Sequence, residues 1–102
     1  YTLKVLFKPG SPYVRELSRI VREQIRNDPQ YSYVFPDSYT GIKEDQPFYV
    51  TGDALHLYFE PYEIAPYVAG FPTFTIPFIQ IRSLINTKGE FWQAFHQAPY
   101  GS

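Results

Sequence analysis

The sequence predicts an α+β domain: an antiparallel sheet of about three to four strands packed against one main N-terminal helix, with a short C-terminal helix. Three observations carry that expectation. Apolar residues recur at three- and four-residue steps early in the chain, two alternating runs flank a Gly52-Asp53 turn, and no regular strand–helix–strand rhythm follows. The missing rhythm argues against a doubly wound sheet.

The first element is expected at residues 1–7, where Leu3, Val5 and Phe7 alternate with Thr2, Lys4 and Leu6 as in a half-buried strand. Lys8-Pro9-Gly10 ends it. Ser11-Pro12 reads as a helix start, Ser as N-cap and Pro in the first turn. Val14, Leu17, Ile20, Val21 and Ile25 form one apolar stripe, and Asn27-Asp28-Pro29 stops the helix. In residues 30–47, Tyr31, Tyr33, Val34 and Phe35 fit either a short strand or a docked loop. Residues 48–60 predict a hairpin with Phe48, Val50, Leu55, Leu57 and Phe59 on one face. Tyr49, Thr51, His56, Tyr58 and Glu60 fall on the other. A loop at 61–70 is followed by a strand at 73–81, an edge or bulged one because Pro77 interrupts it. Residues 82–86 read as a helical turn, and 90–96 as a short helix carrying Phe91, Trp92 and Phe95.

At 102 residues the chain is one domain, residues 1–102, with an apolar fraction of 44% that suits a folded core. Aromatic residues make up 20%, so rings must form much of that core. A formal charge of −1 supplies no general attraction for nucleic acid or an anionic membrane. The absence of cysteine excludes disulfides, thiolate metal sites and cysteine nucleophiles. No apolar run approaches the length of a membrane span. With no Met and a strand-like opening, the chain is expected to be a segment excised from a longer protein.

Four prolines, Pro61, Pro66, Pro72 and Pro77, punctuate the aromatic run at 48–78. Each fixes φ and removes a backbone donor, so the segment must hold a specific irregular shape. Tyr62, Glu63, Pro66 and Tyr67 are the candidate ligand- or partner-binding residues, because tyrosine presents a stiff ring and a hydroxyl together. The same rings would equally serve to fold back over the sheet and hold the loop.

Other constellations have plainer readings. Arg15, Arg19, Arg22 and Arg26 share a helix face, but Glu16 and Glu23 each precede an arginine by three residues and suit surface pairing. His56 and Glu60 lie on one strand face about 13 Å apart by strand rise. His96 is on another element. Metal ligation needs three or more converging donors, so neither a metal nor a cofactor is expected. Asp53, Glu60 and Glu63 could flank a sugar as in a glycosidase, or accept backbone donors in the loop, and the second reading is favoured. No nucleophile elbow or phosphate loop appears, so no enzymatic activity is expected.

The motifs FYVTGDALHLYF and PYEIAPYVAGFPTFTIPF, at 48–59 and 61–78, resemble the C-terminal domain of unknown function of RsiV-type anti-sigma factors and PdaC-type peptidoglycan deacetylases. LFKPGSPYVRELSRIVREQI, at 6–25, is similar to that family's first strand and helix. The resemblance runs from about residue 6 to residue 84, with PYEIAPY its most specific part. It implies a non-catalytic, extracytoplasmic module of the bacterial cell envelope that recognises a lysozyme-like protein or peptidoglycan. The alternative it implies is a structural accessory domain of a peptidoglycan deacetylase. The catalytic His and Asp motifs of such an enzyme are absent from this sequence, as are a transmembrane segment and a sigma-binding segment.

Overall fold

The computed structural model of the chain describes residues 2–34, 36–61, 63–66 and 70–96. Its largest helix, α1 (Tyr13–Asn27), buries Leu17, Ile20 and Val21 and half-buries Val14 and Ile25, the stripe expected from spacing. The helix ends where Asp28 turns to extended backbone and its N–H donates to the Gln24 carbonyl at 2.9 Å. Pro29 then starts a short 3₁₀ turn, Pro29–Tyr31. The described part of the segment beyond it is a docked loop with a second 3₁₀ turn at Pro36–Ser38 rather than a strand, and Phe35 lies outside the described residues. The loop buries Tyr31, Val34, Tyr39 and Ile42.

The sheet has three antiparallel strands, β1 (Phe48–Val50), β2 (Ala54–Tyr58) and β3 (Thr73–Pro77), in that order. Phe48 faces Leu57 and Val50 faces Leu55, with the Thr51 N–H donating to the Ala54 carbonyl to close the turn. Leu57 faces Phe74 and Leu55 faces Ile76 across the second pair. These side chains lie on one side of the pleat and join the α1 stripe in a single buried cluster. The edge of β3 is stitched to the helical layer. Gln24 Nε2 donates to the Thr75 carbonyl at 3.0 Å, and the Tyr31 hydroxyl donates to the Thr73 carbonyl at 2.9 Å.

Three expectations are corrected. The segment at 1–7 is not a strand: Leu3–Leu6 is a 3₁₀ turn, which buries Leu3 and Leu6 together three residues apart. Val5, expected inside, faces out. Phe7 alone bridges to Ile85, so the segment has too little of a partner to extend a ladder. Ser11 is not the helix cap. Its N–H closes a turn on the Lys8 carbonyl, Pro12 takes the cap position with no side-chain hydrogen bond, and Ser11 Oγ is buried without a partner. The strand expected at 73–81 stops at Pro77, after which Phe78–Ile81 forms α2 and Arg82–Leu84 a 3₁₀ turn. The Phe78 N–H still meets the Asp53 carbonyl at 3.0 Å, one rung further in the same register, and beyond Asp53 the partner chain enters the hairpin turn and offers nothing more to pair with. The last element, α3 (Glu90–His96), sets Trp92 edge-on to Phe78 and Phe91 edge-on to Phe48.

Candidate functional site

The proline loop begins where β2 ends. The Phe59 N–H donates to the Pro72 carbonyl at 3.0 Å, so the two limbs of the loop meet at a closed neck. Pro61 supplies the turn that follows. Glu60 and Glu63 close it reciprocally: the Glu63 N–H donates to the Glu60 carbonyl at 3.0 Å, and the Glu60 N–H donates to Glu63 Oε1 at 3.1 Å. Glu63 Oε2 also lies 3.8 Å from Lys43 Nζ. Ile64 and Ala65 are buried and anchor the loop, leaving Pro61, Glu63 and Pro66 half-buried around them. Of the four candidate binding residues, Glu63 and Pro66 are thus placed on one anchored loop. Tyr62 and Tyr67 lie outside the described residues.

Lys43 is held in reach by the buried side chain of Gln46. Its Oε1 accepts from the Lys43 N–H at 3.2 Å, and its Nε2 donates to the Tyr58 carbonyl at 2.7 Å. Buried amides need such partners.

Beside the loop, the outer face of the sheet carries a group of rings that the loop-centred reading passed over. Tyr49 lies flat on His56, centroids 4.5 Å apart and planes 8° from parallel, across the β1–β2 register. Tyr58 stands 6.4 Å from Tyr49, and Phe71 meets Tyr58 edge-on at 6.2 Å. Both imidazole nitrogens of His56 are engaged, Nε2 with Thr51 Oγ1 at 2.9 Å and Nδ1 with Thr75 Oγ1 at 3.0 Å. Tyr49 and Phe71 are 49% and 58% exposed, which sets this face apart from the rings inside the core. The signal was present in the sequence: the outward half of the hairpin pattern is Tyr, His and Tyr rather than charged residues.

The charged groups behave as surface groups. Arg19 bonds Glu16 at 3.3 Å and Glu23 at 3.1 Å, while Arg15 lies 3.6 Å from Glu16. Glu23 therefore pairs backwards with Arg19 and not forwards with Arg26 as its spacing suggested. Arg22 sits over the ring of Tyr39, 5.5 Å from its centroid. Asp53 Oδ1 accepts from the Thr51 hydroxyl at 3.3 Å. Among the described residues, no three His, Asp or Glu side chains converge on a point that would hold a metal ion. The perturbed phenols are those of the helical layer. Burial pushes the Tyr39 phenol up to about 12, and raises those of Tyr31 and Tyr13 as well.

The chain belongs to the family described as a protein of unknown function, DUF3298, whose family model matches residues 4–78. It is 37% identical over 93 residues to the anti-sigma-V factor RsiV of Bacillus subtilis, which covers 82% of this chain and 32% of that protein. The chain thus spans about a third of that relative's length. A crystal structure of a DUF3298 family member from Bacteroides fragilis superposes with a TM-score of 0.65 over 84% of this chain and 36% of that one. At 18% identity, that likeness shows the fold.

Proposed function

We propose that this domain is the ligand-recognition part of a non-catalytic sensor in the bacterial cell envelope, and that it captures a lysozyme-like protein. The observation that carries this reading is the anchored proline loop, whose PYEIAPY motif resembles RsiV-type receptors and whose described residues, 61, 63–66 and 70, are tied down before any ligand arrives. Its neck is closed by backbone bonds, its turn is clasped by Glu63, and Ile64 and Ala65 tie its centre to the core. A preformed loop loses little entropy on binding. Membership of an anti-sigma factor's family supports a sensing role. Among the described residues no helix is long and apolar enough to cross a membrane, so anchorage would come from elsewhere in a longer parent.

The experiment is capture of lysozyme by the purified domain, followed by titration calorimetry. Tyr67→Ala should weaken capture by about tenfold or more, as truncation of an interface anchor does, with an unchanged melting temperature. Glu63→Gln should weaken it less, through loosening of the Glu60–Glu63 clasp. Absence of capture at high micromolar protein would remove this reading and leave a structural accessory role.

A further inference from the structure

The geometry points to a second binding element: the outer sheet face is a strip for a neutral, extended glycan chain. This inference rests on the recognition role proposed above and names a ligand class for the sheet half of that surface.

The rings of Tyr49, His56 and Tyr58 cluster across the hairpin, Tyr49 lying 4.5 Å from His56 and 6.4 Å from Tyr58, and Phe71 extends the cluster 6.2 Å beyond Tyr58. Hydroxyls border it, from Thr51 beside β1 and from Thr73 and Thr75 on β3. No Lys or Arg belongs to the outward positions of these strands, and the acids Asp53 and Glu60 stand at the two ends of β2. That charge pattern repels a polyanion, so nucleic acid and anionic lipid are the wrong chemistry. A sugar chain is the right one. Its C–H faces pack on the electron-rich faces of aromatic rings, and its hydroxyls exchange hydrogen bonds with hydroxyl and carboxylate groups.

The strip is also ordered in advance. His56 is held through both nitrogens by threonines on either side, and Tyr49 lies flat against it. Rings already fixed in place lose little freedom when a ligand lands on them. Cross-strand pairing accounts for Tyr49 on His56 as a stabilising device. It does not account for Phe71, which lies outside the strands, is more than half exposed and meets Tyr58 only edge-on.

The test is a titration of the purified domain with two neutral probes, chitotetraose and cellotetraose, followed by calorimetry and by amide chemical shifts. Saturable binding of either, with shifts confined to residues 49–58 and 71–75, is the expected result, and the stronger probe tells whether acetamido groups contribute. Tyr49→Ala and Phe71→Ala should each weaken it by about tenfold, while Phe71→Tyr, which keeps a ring, should bind as before. Both sites are exposed, so melting curves will show that the variants remain folded. No saturation by either probe at millimolar concentration overturns the inference, as does binding that survives both alanine variants. If lysozyme capture persists while the glycans fail, the glycan strip alone falls. If capture depends on Tyr49 and Phe71 and no glycan binds, the strip is a protein site. If neither ligand binds, the recognition role falls with it.

Discussion

Tyr39 shows what burial does to a single polar group here. Its ring packs edge-on to Phe59 at 6.0 Å under the Arg22 guanidinium, and its hydroxyl donates to the Ser18 carbonyl at 2.7 Å. Desolvation is the largest influence and outweighs the lowering pull of the Ser18 side chain and of Arg22, so the phenol is pushed up to about 12 from 10. A raised value means that the folded state keeps its proton where the unfolded state has begun to lose one. Stability from this group is therefore complete below pH 10 and is lost as pH rises from 10 towards 12. Tyr39→Phe should cost about 1 kcal/mol at neutral pH through the lost hydrogen bond. It should also flatten the fall in stability between those pH values, leaving a residual slope from Tyr31 and Tyr13. Urea titrations at pH 8 and pH 11 check this, and an unchanged alkaline slope would show that Tyr39 is not its source.

Between elements, the contact that best illustrates how the helix and the long loop are joined is at Gly41. It has φ +122°, a conformation that L side chains rarely adopt, and an added Cβ would lie 3.2 Å from Ser18 Oγ. That same Oγ accepts from the Ile42 N–H at 2.9 Å and so ties the loop to the middle of α1. Gly41→Ala both strains the backbone and crowds the hydroxyl that holds it. A loss of about 1–3 kcal/mol is expected, with the loop at 39–43 exchanging its amide hydrogens faster. Stability equal to the parent would mean that the loop can shift away from α1 without cost. At the other edge of the layer, Gln24 and Tyr31 cap the carbonyls of β3, which explains how a short strand ending in proline remains part of the sheet.

Across the whole molecule, one buried cluster runs from Leu3 through α1 and the sheet to Ile85, with Ile64 joining the proline loop to it. A core shared by every described layer predicts one cooperative transition. Unfolding in urea should superpose when followed by Trp92 fluorescence and by far-ultraviolet circular dichroism, with a slope of about 1–3 kcal/mol per molar. Two separated transitions would mean that α3, which bears Trp92, melts apart from the sheet.

Elements whose information is contiguous could be read directly from the residues. The α1 stripe, its stop at Asp28-Pro29, the hairpin register about Gly52-Asp53 and the two faces of β2 all follow from periodicity and turn chemistry within a short window. The proline loop was legible in the same way, as prolines spaced through an aromatic run. What periodicity could not settle was any short apolar segment whose conformation depends on a distant partner. Leu3–Leu6 alternates well enough for a strand, yet Phe7 finds only Ile85 to bridge, and burying Leu3 with Leu6 favours the tighter turn. Residues 78–81 are apolar enough to extend β3, but β2 begins at Ala54, so after the Phe78 N–H meets the carbonyl of Asp53 no further partner is left. The ring strip shows the same division. Sequence assigns Tyr49, His56 and Tyr58 to the outward face, while only the tertiary packing brings them beside Phe71 and the two threonines that lock the imidazole.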